Sequence, residues 1–165
     1  MTTKNEHLQQ LIPLYQAAGN KWPATTREIA RWAIDTGKWA PHPSAIVSQC
    51  AEEIARALRD EYVTDEQGRK VRTKHAATHT EGNEQFVLWD DIRTASPKHM
   101  RLAFQQRRLQ ILGDCKQLKN DVDSYNENRV PTDPIQIIFD FGIDLEELQY
   151  ARMAIKKREV PVMYS

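Results

Sequence analysis

The 165-residue chain has no excess of either charge and no long apolar run. Lysine and arginine together number 23, and so do aspartate and glutamate, which excludes a uniformly basic nucleic-acid binder but not a local basic surface. The apolar runs are a few residues long, far below the roughly 20 residues that cross a bilayer. The N-terminal residues lack the apolar stretch of a secretory signal. We therefore expect a cytoplasmic protein without a membrane-spanning segment.

Glycine and cysteine are also scarce, with six and two residues. The chain contains no Gly-rich phosphate loop, no Gly-x-Ser-x-Gly sequence and no paired catalytic carboxylates, so we expect neither an enzyme nor a bound cofactor. His75 and His79 have no cysteine pair or carboxylate cluster to complete a metal site, so none is expected. Cys50 and Cys115 are predicted to be reduced thiols in the core.

Three helices are predicted in the first 60 residues. Leucine, isoleucine and tyrosine at helical spacing indicate the first helix, over residues 6–18, which Pro13 should kink or divide. Thr25 and Glu28 form a capping box at the start of the second helix, and Gly37 ends it. Ser44 is predicted to cap the third helix, which reaches Asp60 and has an apolar face at Val47, Cys50, Ala51, Ile54 and Leu58.

A β-hairpin is predicted after the helices. The strand formers in Lys70–Thr78 and Gln85–Trp89 indicate two strands, and the segments 65–68 and 80–84 have the composition of turns. Four cations lie close together in the first strand: Arg69, Lys70, Arg72 and Lys74. Because side chains alternate along a strand, we expect the last three to share one face.

Three helices followed by a basic hairpin resemble the winged-helix branch of the helix-turn-helix proteins, over residues 5–93. The predicted class is therefore mainly α with a small antiparallel hairpin (α+β), with a winged-helix domain at 1–95, a long helix at 96–129 and a C-terminal part at 130–165. The connector between helices two and three is longer than such motifs often have, and the third helix carries Glu52, Glu53 and Asp60.

The resemblance implies binding of double-stranded DNA. The start of the third helix would read base edges, and the hairpin would contact phosphates. The residues assigned to these contacts are Arg27, Lys38, Ser44, Ser48, Gln49, Arg69, Lys70, Arg72 and Lys74. An ordinary solvent-exposed face remains open for Ser48 and Gln49, and a solvated edge strand for the hairpin cations. The predicted function is a non-catalytic DNA-binding regulator or nucleoprotein component, and the alternative is a protein-interaction module in a replication, phage or mobile-element assembly.

The long helix begins at the cap Ser96 and the following Pro97. An apolar residue recurs in it every seven positions, which predicts a homodimer. The predicted interface residues are Phe104, Ile111, Cys115, Leu118, Val122 and Tyr125. The alternative is that the last helix, predicted from Asp144 to about Arg158, folds back and covers the same residues.

The segment Gln136–Phe141 is similar to the short peptides that bind bacterial sliding clamps. The resemblance assigns partner binding to Gln136, Ile137, Phe139 and Phe141. The alternative is an extended segment that packs on its own chain.

Overall fold

A computed structural model describes residues 3–159, which form five α-helices and four β-strands. The helices are α1 (Lys4–Ala17), α2 (Thr26–Asp35), α3 (Ile46–Arg59), α4 (Pro97–Arg129) and α5 (Gly142–Glu159). The strands are β1 (Tyr62–Thr64), β2 (Lys70–Arg72), β3 (Lys74–Glu81) and β4 (Glu84–Asp91). They form two separate two-stranded sheets, β1–β2 and β3–β4. The chain is thus mainly helical with small antiparallel sheets, as predicted for the α+β class.

The chain divides into two compact units between Tyr62 and Val63. The N-terminal unit contains the three helices α1–α3, and the C-terminal unit contains both β2 and the β3–β4 hairpin together with α4 and α5. This division differs from the predicted boundary after residue 95. The physical reason is that β3 packs against α4 and so belongs with the long helix.

Two capping boxes position the first helices. Thr3 and Glu6 cap α1, and Thr25 and Glu28 cap α2, as predicted for the second pair. Each threonine hydroxyl accepts from a main-chain amide, and each glutamate accepts from the threonine amide. Pro13 lies inside α1 without dividing it.

The core between these two helices is small. Its buried residues are Leu11 and Tyr15 of α1 and Ile29 and Ala33 of α2. The Tyr15 and Trp32 rings meet edge to face with centroids 5.5 Å apart, which is the preferred arrangement for two aromatic rings. Gly37 has a φ of 67°, so the predicted left-handed end of the second helix is confirmed.

Helix α3 differs from its prediction at both its start and its apolar face. A 3-10 turn at Pro43–Ala45 precedes it, and Ser44 lies within this turn, so the predicted N-cap is wrong. His42 caps the turn instead, because its Nδ1 accepts from the Ser44 amide. Val47, Cys50 and Ile54 are exposed, although their spacing predicted a buried face. The prediction that Cys50 lies in the core is therefore wrong.

The predicted first strand of the hairpin is interrupted. It forms β2 and β3, separated by the buried Thr73, so Lys70 and Arg72 lie on one strand and Lys74 on the next. The expectation that all three share a face of one strand is wrong. Strand β3 pairs with β4 from Lys74↔Asp91 to Glu81↔Glu84, and Gly82 with φ 60° provides the tight connection.

One face of β3 lies against α4. Thr73, His75 and Ala77 are buried at alternate positions, as the two-residue period of a strand requires. His99 and Ala103 are the buried residues of α4. Ser96 caps this helix by accepting from the His99 amide at 3.2 Å, as its sequence predicted.

The C-terminal part begins where α4 ends at Val130, which has a left-handed φ of 44°. Residues 130–141 form neither helix nor strand. Asn126 holds this segment near α4, because its side chain exchanges two hydrogen bonds with the main chain of Ile135, at 2.8 and 3.0 Å. Helix α5 begins at Gly142, two residues before the predicted Asp144, because the Asp140 carboxylate accepts from the Gly142 amide.

Candidate functional site

The residues predicted to read DNA from the third helix are exposed but do not form a basic surface. Ser48 and Gln49 lie on α3, and Gln49 donates to Glu53 at 3.2 Å. Glu52 is exposed on the same helix. Carboxylates at these positions oppose the close approach of phosphates, so α3 is a poor surface for DNA.

The cations and polar groups of the connector interact within the N-terminal unit. The Lys38 ammonium lies over the Trp32 ring, 5.8 Å from its centroid, and the Lys38 carbonyl is 3.3 Å from His7 Nε2. The Ser44 hydroxyl is 2.6 Å from His42 Nδ1. An open cavity of about 410 Å³ is lined by Lys4, His7, Lys38, His42 and Ser44 among others. Arg27 is exposed near the start of α2.

Two of the four predicted hairpin cations, Arg69 and Lys74, are paired with carboxylates. Arg69 bonds to Asp65 at 2.7 Å, and Lys74 bonds to Asp91 at 2.8 Å. Arg93 bonds to the same Asp91 carboxylate, also at 2.7 Å. The Arg93 side chain, followed by that of Lys74, holds the pKa of Asp91 well below its usual range. The carboxylates therefore account for the side-chain positions of Arg69 and Lys74, and no DNA phosphate is needed to explain them. The Arg72 side chain is half-buried.

A basic surface lies instead on α4, the helix for which the sequence predicted a dimer interface. Residues 92–113 contain five lysines and arginines and no aspartate or glutamate. Lys98, Arg101, Gln105 and Arg108 follow one another at spacings of three and four, so they lie on one side of the helix. We call this side the basic face. The signal that reveals it is the absence of acids combined with the helical period of the cations.

The basic face is fully exposed and points away from the hairpin. All four of its residues are exposed. Among residues 3–159, no ion pair involves Lys98, Arg101 or Arg108. His99 and Gln106, which contact β3, lie roughly 130° round the helix from the centre of the basic face. The three cations are therefore available to a ligand.

Two buried histidines and a half-buried third join the hairpin to α4. His99 Nε2 lies 3.0 Å from the carbonyl of His75, and a carbonyl can only accept, so this nitrogen carries the proton. The other ring nitrogen, His99 Nδ1, lies 3.4 Å from His79 Nε2. His75 donates to the Arg72 carbonyl at 2.9 Å. His75 and His99 are buried, and His79 is half-buried, so these rings pack between the hairpin and α4.

Gln106 forms the second link between α4 and the hairpin. Its side-chain oxygen accepts from the Thr78 amide at 2.7 Å, and its side-chain nitrogen donates to the Thr78 carbonyl at 2.9 Å. One glutamine side chain thus satisfies both main-chain groups of a strand residue. Together with the histidines, this contact fixes which side of α4 faces the hairpin and which side carries the basic face.

The predicted dimer residues fall into two groups. Phe104, Ile111, Leu118 and Tyr125 are each about half exposed, whereas Cys115 and Val122 are half-buried. Val122 faces the segment Ile135–Phe139 across a shallow cavity of about 360 Å³. The chain's own C-terminal segment thus lies beside part of the predicted interface. The Phe104 ring packs edge to face against the His75 ring, with centroids 5.3 Å apart, so the hairpin covers part of it.

The segment predicted to bind a partner lies close to α4. Ile137 and Phe139 line the shallow cavity together with Gln136, and Phe139 is half-buried. Phe141 is exposed. Of the residues in this segment, Phe139 alone is half-buried and the other five are exposed, so partner binding and packing on the chain itself both stay predictions.

The described part of the chain contains no group of three histidine, cysteine, aspartate or glutamate side chains that could hold a metal ion. None of the helices within residues 3–159 is long and apolar enough to span a membrane.

The winged-helix resemblance stays a prediction. Comparison of the chain with known protein families, with curated proteins and with solved structures finds no match, so the geometry of the basic face stands as the guide to function.

Proposed function

We propose that this protein binds double-stranded DNA through the basic face of α4. The observation that carries the proposal is a set of three exposed cations, without ion pairs in the described chain, on one side of a helix within an acid-free stretch of sequence. Phosphate contacts by lysine and arginine supply most of the affinity of non-specific DNA binding. The proposal keeps the DNA ligand that the sequence predicted and moves the contact from α3 and the hairpin to α4.

The spacing of the basic face suits a DNA backbone. Lys98 and Arg108 are ten residues apart, which corresponds to about 15 Å along the helix axis. Long flexible side chains at the two ends and at Arg101 can therefore reach several phosphates. Gln105 lies between these cations, and a glutamine side chain can form two hydrogen bonds with adenine in the major groove. Phosphates would position the helix, and Gln105 would favour adenine.

Titration of a fluorescent mixed-sequence duplex, at about 50 and 200 mM salt, tests the proposal. The wild-type protein should bind with a dissociation constant between about 10⁻⁴ and 10⁻⁶ M at physiological salt and weaken steeply as salt rises. The variant K98E/R101E/R108E should bind about 100-fold more weakly. Its plot of log affinity against log salt should lose about three units of slope, one for each lost phosphate contact.

The matched control is K21E/R31E/R56E, which makes the same change in total charge at exposed positions of the N-terminal unit. Its DNA affinity should remain within about threefold of wild type, since these three cations are not part of the proposed contact and charges without a phosphate contact are screened by salt. Equal losses in both variants would show that total charge rather than the basic face determines binding. A loss confined to the control variant would return the contact to the N-terminal unit.

A protein-interaction module is the second candidate, and the exposure of α3 favours it. Ile46, Val47 and Ile54 are 66%, 79% and 54% exposed, although all three are large apolar residues. Exposed apolar groups of this kind are common at protein interfaces. Capture of one stoichiometric protein by wild type after nuclease treatment, and its loss with Val47→Ser, would support this function. Equal capture by both proteins would exclude α3 as the contact.

A further inference from the structure

Half-exposed apolar residues of α4 form a regular stripe, whose first member, Phe104, also contacts the His75 ring of the hairpin edge to face. Phe104, Ile111, Leu118 and Tyr125 recur every seven residues and are 48%, 52%, 44% and 48% exposed. They extend over about 32 Å of helix. We call them the apolar stripe. An apolar surface of this length and period is typical of a helix that pairs with another helix.

The charges beside the apolar stripe indicate a second copy of the same chain. Arg107 and Asp121 lie on the same flank of the stripe, three residues after Phe104 and Leu118 respectively. Pairing two copies of α4 in opposite directions brings Phe104 opposite Tyr125 and Ile111 opposite Leu118. The same pairing brings Arg107 next to Asp121 of the second copy, and two-fold symmetry provides this contact twice. The helix is thus complementary to itself in the antiparallel direction.

Parallel pairing lacks this complementarity. It would bring Arg107 next to Arg108 of the second copy, twice by symmetry, because opposite flanks of the two helices meet in a parallel pair. Like charges at such short distances oppose association. The antiparallel arrangement separates them along the helix.

We propose that the protein forms an antiparallel two-fold dimer through the apolar stripe, and that its two basic faces together contact one DNA duplex. In an antiparallel pair, corresponding flanks of the two helices lie on the same side, so both basic faces point in one direction. Along the helix axis, the middle of the basic face is at the level of residue 103, which lies opposite the level of residue 126 of the second copy. The two centres are therefore about 35 Å apart along the helix pair. This distance matches one turn of B-DNA, the spacing of the two half-sites of many dimeric DNA-binding proteins.

Disulfide trapping in the full chain tests the dimer and its direction. With Cys50 and Cys115 replaced by serine, one protein carries Ile111→Cys and another Leu118→Cys. Antiparallel pairing predicts cross-linked dimers after oxidation of the mixture, and little cross-linking of either protein alone, because a disulfide requires Cα atoms within about 7 Å. Cross-linking of each protein alone would show parallel pairing and overturn the proposal. No cross-linking in any sample, together with a monomer in sedimentation, would overturn the dimer itself.

Charge variants provide a second test that does not depend on disulfides. R107D should weaken the dimer about 30-fold, because two attractive contacts become repulsive, and R107D/D121R should restore it. Asp114 lies near the two-fold axis, where the two copies approach each other. Asp114→Asn should therefore tighten an antiparallel dimer. Weaker dimerisation of Asp114→Asn, or no rescue in the double variant, would contradict the antiparallel arrangement.

The shared DNA duplex rests on the proposed function. Duplexes of two lengths test the dimer's use of one duplex separately from DNA binding itself. The wild-type dimer should bind a 24-bp duplex at least tenfold more tightly than a 10-bp duplex, since only the longer one spans two sites a turn apart. R107D, which leaves the basic face intact, should lose this preference. A dimer without length preference would overturn the shared duplex and leave single-site binding standing. A dimer without any DNA binding would overturn the proposed function while the pairing of α4 remained.

Discussion

The contact between Gln106 and Thr78 allows a quantitative prediction about stability. Gln106→Leu keeps the size of the side chain and removes both of its hydrogen bonds to the β3 main chain. An intramolecular hydrogen bond contributes about 1 kcal/mol to the free energy of unfolding. Because both residues are half-buried, water can reach part of the freed groups, and we expect a total loss of about 2 kcal/mol rather than the larger cost of fully buried groups. In a unit of about 100 residues, this loss lowers Tm by roughly 8–16 °C.

Gln105 provides the matched control, since it is the adjacent residue of the same type and is exposed. Gln105→Leu should change the free energy of unfolding by less than about 0.5 kcal/mol. Calorimetry of both variants gives Tm, and hydrogen exchange of the β3 and β4 amides shows whether the change lies in the hairpin. Equal Tm values for the two variants, or faster exchange confined to α1–α3, would refute the role assigned to Gln106.

Three further predictions concern single residues. Asp91 has a lowered pKa in the folded protein, so its contribution to stability is present above the ordinary aspartate pKa and is lost as the pH falls below about 4. Tm measured from pH 2 to 6 should therefore fall less in acid for Asp91→Asn than for wild type, and parallel curves would contradict this. Val130→Gly should raise the free energy of unfolding by about 1 kcal/mol, because valine is strained at a φ of 44°. The Val130 side chain is 77% exposed, so its removal costs little packing, and urea denaturation would detect the gain. Lys74→Gln should lower Tm through the lost bond to Asp91 and change DNA affinity less than threefold in the fluorescence titration, whereas a large loss of affinity would return the DNA contact to the hairpin.

Local signals in the sequence predicted the elements of the fold well. The capping box at Thr25 and Glu28, the left-handed Gly37 and the cap at Ser96 all depend on neighbouring residues, and the structure contains each of them. The β3–β4 hairpin was found for the same reason, since its strand formers and turn lie within a short stretch.

Contacts between elements that are far apart in the chain could not be predicted from the sequence. The spacing of Val47 and Ile54 indicates an apolar face but carries no information on whether another element covers it, and here both residues are exposed. The cluster of His75, His79 and His99 joins β3 to α4, so its members are up to 24 residues apart. The interruption at Thr73 was missed because a β-branched residue favours a strand and Thr73 instead separates two of them.

The basic face could have been found from the sequence. Lys98, Arg101 and Arg108 follow the helical period inside a stretch without acids. The structure places Arg108 among these exposed cations. The net charge of zero concealed this segment, because the balancing acids lie elsewhere in the chain.

The Gln106 side chain also affects whether another β-strand can pair with the hairpin. A strand at the edge of a sheet presents unpaired amides and carbonyls, on which an extended segment of another molecule can assemble and begin aggregation. In β3 the amide and carbonyl of Thr78, at the middle of the strand, are both occupied by a side chain from the protein's own helix. An incoming strand would have to displace α4 before it could pair there. The helix thus blocks the pairing of another strand at the middle of β3.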